Sequence, residues 1–566
     1  MHRNSAGISG QYTRSNNGYN RPDDHAASSR RVQYRHGIVE QWDNPLRTTP
    51  GCNEFYHSSD ACSSQNLMFR SVNSTQDFNA LIKQEVMDGL VSKSGRFGHR
   101  YDGRDHGRYA SSIKKYTSAA KRPLNRAEQS QLMRLLQNFT ATPGWNWRSL
   151  TTTLHSFTSA GVFTPNPIDE RVKRTQVALL STLLEAIIFK CNQKAEASYI
   201  GAQGVTNLLW AMAKLIDSGQ EQKPGLNEAV AALLPHMNAQ QDQFNAQGIA
   251  NLLWATAKLV DNGLKRTPVL NEAVARLLPD VNVQKDNFKP QEIANLLWAM
   301  AKMGELIELN VVTSTFESLV YRISNKPQLS QPDISMSLWG VMVYCARLSL
   351  ASNTNNINVL EKHMNDLFTR LENTFPDNED DQSILAQAAV WLGRTCTVVP
   401  HYPTNISKTQ VDFRDLLQSC IPSLRIEEEK SLNSLPPVDL LLPDHKLVIE
   451  VQGPFHYVGG DFKTRSGTTL LKIALLQKSG FEVIEIPVNR FLNQDLMKPY
   501  IDQIKTRTGF PPQGHGSVSL KRRWPDAAYV TADNGRQPSD HGYLTAEEHS
   551  GEQTGKSGRK RKKHNQ

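Results

Sequence analysis

A repeated pattern of apolar and polar positions occupies the middle of the chain. Three segments read QGVTNLLWAMAKL, QGIANLLWATAKL and QEIANLLWAMAKM, and their tryptophans lie 44 residues apart. A second element, NEAVAALLP and then NEAVARLLP, repeats in step with the first. Each period therefore predicts two helices, the second of which is closed by its proline. Helix pairs repeated at this length predict an α-solenoid, because one pair cannot cover its own apolar face.

The first helix of each period is apolar around most of its circumference. In the second copy, Ile249, Leu252 and Val260 follow the spacing of a buried helical stripe. Trp254 lies on a neighbouring stripe that is also largely apolar. Such a helix belongs inside a stack, and we expect Trp254 to pack against the adjacent repeat.

Weaker copies of this helical pattern flank the strong ones. Patterning begins near residue 125, and the later segments PDISMSLWGVMVYCARL and ILAQAAVWLGRT are typical of degenerate copies. These two segments carry Trp339 and Trp391. We therefore predict a solenoid over residues 125–420, with the repeats clearest at 203–302.

Two amide side chains recur in every strong copy, four residues apart. They are Gln203, Gln247 and Gln291, followed by Asn207, Asn251 and Asn295. One interpretation is a ladder that binds RNA bases, one repeat per nucleotide. The other is structural: each asparagine caps or bridges neighbouring helices, because buried amides need partners. A position that discriminates between bases should vary from repeat to repeat, so the lack of variation favours the structural interpretation.

The pattern changes from helices to strands after Leu435. Four elements are predicted, namely strands at 436–443, 446–453 and 481–487 and a helix at 468–480. The first two strands form a hairpin that turns at Asp444. This turn places Asp439 opposite residue 449 or 450, and therefore close to Glu450.

The same segments carry a family resemblance. VDLLLP, IEVQGPFHY and LLKIALLQKSGFEVIEIPVNRF resemble the RAP domain over residues 436–492. RAP domains are similar to restriction-endonuclease-like nucleases. Known RAP proteins, among them the FAST kinase-domain family and the octotricopeptide proteins, place helical repeats before the domain and act on organellar RNA. The resemblance implies an α-solenoid followed by a small α/β domain, in an RNA-binding protein of RNA processing or stability. It is looser over the solenoid, because the period here exceeds the octotricopeptide length.

The resemblance also implies a candidate catalytic site. The related nucleases hold Mg²⁺ with an aspartate on one strand and a Glu-x-Lys on the next, and Asp439 and Glu450 match the two carboxylate positions. Gln452 lies where RAP domains usually have an acid and active nucleases a lysine. His456 is a candidate base, and Lys472 is a candidate to reach in from the helix. Two hypotheses are open: an Mg²⁺-dependent endoribonuclease with a degenerate site, or a relic of the fold that forms local hydrogen bonds or contacts RNA.

The net charge of +9 is unevenly distributed. Residues 1–200 carry +10, residues 201–400 carry −5 and residues 401–566 carry +4. The basic excess therefore lies in the flanks, which weakens a simple phosphate-binding role for the solenoid. The six cysteines show no CxxC pairing, which argues against zinc and disulfides and predicts a reducing, intracellular compartment. No segment approaches the roughly 20 apolar residues that would predict a membrane span.

Both ends of the chain are predicted to be disordered, over residues 1–124 and 511–566. The basic stretch at 96–126 is either a solvated linker or an arm that contacts phosphates. The tail ends in a cluster that is typical of a nuclear-import signal, namely Arg559, Lys560, Arg561, Lys562 and Lys563.

A second function class is consistent with these features. Some effectors secreted by plant-pathogenic bacteria are similar in carrying solenoid repeats of about this length. The Ser/Asn-rich start without an apolar segment is typical of a type III secretion signal, and the basic tail favours import into a host nucleus. In this hypothesis the solenoid binds a host protein. An organelle is less favoured, because the first residues lack the amphipathic pattern of a transit peptide.

Overall fold

The structure is a computed structural model that describes most of the chain between the two ends. The described residues are 76–100, 102–142, 144–164, 169–193, 200–217, 224–240, 243–352, 357–396, 398–404 and 406–510. The predicted secretion signal and the basic tail lie outside the described residues.

In the described residues, the first fourteen helices form two layers, as the repeat predicts. The odd layer contains α1 (Gln76–Phe97), α3 (Arg126–Thr140), α5 (Glu170–Cys191), α7 (Pro224–Asn238), α9 (Pro268–Val283), α11 (Leu309–Ser324) and α13 (Ile357–Glu372). The even layer contains α2 (Gly103–Ala120), α4 (Trp147–Ala160), α6 (Ala202–Asp217), α8 (Ala246–Asp261), α10 (Pro290–Lys302), α12 (Gln331–Leu350) and α14 (Glu379–Leu392). Each helix packs on the next one of its own layer, which is the architecture of an α-solenoid. No helix in the described ranges is long and apolar enough to cross a bilayer.

The helix boundaries follow from local sequence signals. The Asn245 side chain accepts the Gly248 N–H at the start of α8, and Thr267 caps α9 ahead of a proline at the first helical position. The prediction that a proline closes each second helix is wrong. Pro235 lies inside α7, and Pro279 lies inside α9. Both prolines are exposed, so the ring displaces no packed neighbour and the chain continues as a helix for another turn.

The disorder predicted for residues 1–124 is wrong over residues 76–120, which form α1 and α2. Helix α2 buries Ala110, Ile113 and Tyr116, and it packs closely on α4. Its contact surface includes Gly107, where an added Cβ would meet the α4 backbone at 3.7 Å. Small residues of this kind do not register as apolar periodicity, so the sequence pattern missed the helix. The basic stretch at 96–126 is therefore largely part of the solenoid.

The C-terminal domain is a four-stranded sheet with helices on both faces. Its elements are α15 (Lys408–Cys420), β1 (Glu427–Lys430), β2 (Val438–Leu442), β3 (Leu447–Gln452), α16 (Gly467–Lys478), β4 (Glu482–Pro487) and α17 (Gln494–Arg507). The strand order is β1-β2-β3-β4, antiparallel except for the parallel pair β3-β4. The domain is thus larger than the predicted 436–492, and the solenoid ends with α14 rather than at residue 420.

The two faces of the sheet have different neighbours. One face packs on α15 and α17 in a core that includes Phe413, Ile449 and Ile504. The reason that α15 belongs here is that Phe413 and Leu417 are buried in this core and not in that of the solenoid. The opposite face is covered by α16, whose apolar side joins the solenoid core.

Helix α16 contacts the solenoid closely enough to require glycine. A Cβ added at Gly467 would lie 2.0 Å from the carbonyl oxygen of Ala301, at the end of α10. Polar contacts surround this point: the Arg465 guanidinium pairs with Glu305 at 2.7 Å, and Arg266 pairs with Asp461 at 3.2 Å. The C-terminal domain is therefore docked at the ends of α8 and α10, with its helix against α12.

Candidate functional site

Two carboxylates lie side by side on the strands β2 and β3. The register pairs Leu440 with Ile449, so the next position places Asp439 opposite Glu450, as the hairpin predicted. The Asp439 Oδ2 atom accepts a hydrogen bond from the backbone N–H of Val451 at 2.6 Å. The two carboxylate positions of the predicted site are thus adjacent.

A lysine from α16 completes this carboxylate cluster. The Ser466 side chain caps the helix, and in its second turn Lys472 extends its ammonium to within 2.7 Å of the Glu450 Oε2 atom. Glu450 is 2% exposed, whereas the Lys472 side chain reaches solvent with about a fifth of its surface. The ion pair is therefore buried on its carboxylate side and open on its ammonium side.

The cluster has one positive charge for two negative ones. Burial raises the pKa of Glu450 to about 7; the Lys472 ammonium opposes this rise and the Asp439 carboxylate adds to it. Burial also raises the pKa of Asp439, again opposed by Lys472. Among the described residues, the Glu450 Oε1 atom is buried without a hydrogen-bond partner and is available to carry a proton. The cluster therefore retains a proton up to near-neutral pH.

This retained proton predicts a pH dependence of stability. The ordinary pKa of a glutamate is 4.5, and the folded value is higher, so unfolding releases a proton between about pH 4.5 and pH 7. The free energy of unfolding should therefore fall as the pH rises through that window, by about 2 kcal/mol. Urea unfolding of the wild type and of Glu450→Gln at pH 5 and pH 7.5 measures the difference. A wild-type profile parallel to that of the variant would contradict the assignment.

Gln452 lies at the centre of a separate hydrogen-bond chain. The Tyr457 hydroxyl donates to the Gln452 Oε1 atom at 2.5 Å, and the Gln452 Nε2 group donates to Glu485 at 2.9 Å. Glu485 in turn pairs with Arg465 at 3.0 Å, and Arg465 pairs with Glu305 of the solenoid. The Gln452 amide thus connects the sheet to the docking contact.

His456 is hydrogen-bonded to the start of α16 rather than to the carboxylates. Its carbonyl oxygen accepts hydrogen bonds from the Thr469 hydroxyl and the Ser466 N–H. Burial, aided by the charge of Lys472, lowers the pKa of its imidazole to about 4, so the ring is neutral at physiological pH. In the described part of the chain it forms no hydrogen bond to Glu450 or Lys472. The structure therefore brings together Asp439, Glu450 and Lys472, but not His456.

The described residues do not fit a resident Mg²⁺ ion. They contain no group of three or more metal-ligating His, Cys, Asp or Glu side chains. The Lys472 ammonium already occupies Glu450 Oε2, and the Gln452 amide is fully engaged by Tyr457 and Glu485. Mg²⁺ needs near-octahedral oxygen ligands, of which two or three carboxylates were expected here.

A stripe of four residue types follows one face of α6, α8 and α10. Gln, Asn, Trp and Lys recur at intervals of four, three and four residues, which places them on one side of each helix. The tryptophans of successive helices are close: the ring centroids of Trp254 and Trp298 are 6.5 Å apart, and those of Trp298 and Trp339 are 6.2 Å apart. The stripes of neighbouring helices thus form a ladder across the even layer.

The lysine end of this ladder is used within the fold. Lys258 pairs with Asp217 of the preceding repeat at 2.7 Å and lies 4.9 Å from the ring centroid of Trp298 in the following repeat. Lys302 repeats the arrangement with Asp261 and Trp339. These ion pairs and cation–π contacts connect three successive repeats.

The amide end of the ladder is open. The three glutamines are exposed and the three asparagines half-buried. Within the described residues, none of the six side chains donates a hydrogen bond to another residue or accepts one. The bridging role that the sequence favoured for Asn207, Asn251 and Asn295 is therefore not observed.

The residues that connect the site to the solenoid carry no motif that the sequence pattern reveals. They are Tyr457, Glu485, Arg465 and Glu305. Arg465 and Glu305 lie far apart in the chain, so no spacing reveals their contact. Glu485 is the residue for which the sequence offers a signal. Alternation along β4 places this charged side chain on the same face as Val483, and on the opposite face from the apolar Ile484 and Ile486.

Comparison with known proteins identifies part of the chain. The RAP domain family matches residues 449–495, which include most of β3 and the whole of α16 and β4. Asp439 lies outside the matched stretch, although the hairpin brings it to the same site. No curated protein shows significant similarity to the chain.

Proposed function

Because the chain carries a RAP domain that is docked on an α-solenoid, we propose that it binds single-stranded RNA and acts in RNA processing or stability. The observation that carries the proposal is the RAP match itself. RAP domains are generally RNA-binding modules, so the match supports an RNA-related function. The finer role, in processing or in stability, is inferred from the resemblance to RAP proteins with helical repeats.

The open amide ladder supports a role for the solenoid in this binding. Single-stranded RNA exposes base edges that carry hydrogen-bond donors and acceptors, and free amide side chains offer both. Each of three successive helices carries a glutamine and an asparagine that form no side-chain hydrogen bond with the described residues, and such amides are suited to these edges. The solenoid lysines are suited less to phosphates, because Lys258 and Lys302 are already neutralised by aspartates.

The test is binding of the full chain to a pool of single-stranded RNA at two salt concentrations with Mg²⁺ present. We expect binding that weakens with salt and leaves the RNA intact on a gel, because phosphate contacts release counterions. The triple variant Asn207→Ala, Asn251→Ala and Asn295→Ala should lose at least tenfold in affinity for those members of the pool that the wild type binds most tightly. No binding at either salt would contradict the proposal and leave the solenoid as a protein-interaction scaffold.

The same gel tests the endoribonuclease hypothesis. Asp439, Glu450 and Lys472 converge, which favours it, but the poor fit for Mg²⁺ favours a site that does not cut. RNA that is cut by the wild type and remains uncut with Asp439→Ala or Glu450→Ala would make the protein an enzyme. Intact RNA in all three reactions would support a binding module.

Compartment and delivery stay predictions. The type III effector hypothesis and nuclear import by residues 559–563 both depend on segments outside the described residues. Neither conflicts with RNA binding, since a delivered protein can act on host RNA.

A further inference from the structure

The amide ladder is the same on each helix that carries it. Helices α6, α8 and α10 each present one exposed glutamine and, one turn later, one half-buried asparagine. The three helices are consecutive in the even layer. A ligand that lies across them therefore meets the same pair of amides three times.

The amide ladder does not extend to α4, the even-layer helix before α6. An added Cβ at Gly204 would lie 3.6 Å from the Thr151 hydroxyl, and one at Gly248 would lie 3.6 Å from the Thr206 hydroxyl. Thr151 of α4 is thus equivalent to Thr206 of α6. By this equivalence Arg148 of α4 takes the place of the glutamine, and a threonine takes the place of the asparagine.

The amide ladder also does not extend to α12, the even-layer helix after α10. Trp339 of α12 continues the row of tryptophans beside Trp298. Counting back by the same intervals, Met336 and Pro332 stand where the asparagine and glutamine would be. Neither side chain can offer an amide, so among the described helices of the even layer the paired amides occur on α6, α8 and α10.

From this identity we propose that the solenoid selects single-stranded RNA with a run of at least three identical bases, and that the base is adenine. This inference rests on the proposed function. Identical amide pairs have the same base preference at each successive position. The RNA that they bind best is therefore one in which the same base is repeated. Adenine presents a donor and an acceptor side by side, which an Asn or Gln amide binds in bidentate fashion.

The inference is tested with twelve-nucleotide oligomers of adenine, cytosine and uracil and with a mixed sequence of the same length. The full chain should bind the adenine oligomer about tenfold or more tightly than the other three at the same salt. Asn251→Ala should lose about tenfold on the adenine oligomer and little on the mixed sequence. Because this side chain is half-buried and makes no hydrogen bond to the described residues, the variant should fold, which circular dichroism checks.

The matched control is Asn282→Ala, which removes an exposed asparagine from α9 of the odd layer in the same repeat. It should bind every oligomer as the wild type does. Equal binding of all four oligomers would overturn the inference and leave the proposed function in place. A preference for another oligomer, or an adenine preference unchanged by Asn251→Ala, would also overturn it. Failure to bind any RNA would overturn the proposed function as well.

Discussion

Gly467→Ala is expected to separate the RAP domain from the solenoid while leaving both folds able to form. The added Cβ would lie 2.0 Å from the Ala301 carbonyl oxygen, and a backbone atom has no rotamer through which to move away. The backbone of Gly467 does not have a positive φ, so alanine itself is not strained there. We expect a loss of about 3 kcal/mol in the free energy of unfolding, the upper range for overpacking a tight contact.

Calorimetry of the full chain measures this effect. The wild type should unfold in a transition that includes both parts, because α16 and the solenoid helices share one apolar core. The variant should show an earlier transition of the domain alone. Gly453→Ala is the matched control, since its Cβ would meet nothing within 4 Å and its φ is −74°. Identical curves for the two variants would contradict the close contact.

The docking contact matters because the RAP domain covers one end of the helices that carry the amides and leaves the other end open. The RAP domain lies at the ends of α8 and α10, where Lys302 donates to the Thr468 hydroxyl at 3.0 Å and Arg465 pairs with Glu305. The glutamines lie at the opposite ends of the same helices. An RNA strand bound to the amide ladder would thus lie along the solenoid face beyond the RAP domain. It would not need to pass between the domain and the solenoid.

The sequence predicted those parts of the fold that depend on local periodicity. The 44-residue repeat indicated the solenoid, and alternation on the strands indicated the hairpin that pairs Asp439 with Glu450. It failed where burial depends on small or polar residues, as in α2, whose contact with α4 involves Gly107. It also assigned α15 to the solenoid, because the apolar spacing of Phe413 and Leu417 is the same whether a helix packs on helices or on a sheet.

The candidate site was less predictable than the fold. Asp439, Glu450 and Gln452 could be placed by matching positions in a resemblance, and their adjacency follows from strand register. The partner of Gln452 could not be predicted in this way, because its contact with Glu485 requires the parallel pairing of β3 and β4 across an intervening helix. The amides of the solenoid were recognised, but their lack of partners depends on the packing of neighbouring helices.

Lys472→Met is expected to destabilise the protein by about 3 kcal/mol at pH 8, because it leaves the buried Glu450 carboxylate without its counter-charge. The loss should shrink to about 1 kcal/mol at pH 5, where Glu450 takes up a proton and no longer needs the ammonium. Urea unfolding at both pH values measures the change. Lys498→Met, which removes an exposed lysine from α17, is the control and should change stability by less than about 0.5 kcal/mol.

The double variant Lys472→Met/Glu450→Gln distinguishes a charge effect from a packing effect. If the ammonium acts by compensating the carboxylate, removing both charges should recover most of the stability lost at pH 8, because a neutral amide is less costly to bury than a lone charge. If Lys472 acts by filling space, the double variant should be no more stable than Lys472→Met, and the loss should be equal at both pH values. Recovery would mean that the Lys472 ammonium compensates the charge of the buried Glu450 carboxylate, and that an internal ion pair stabilises this RAP domain.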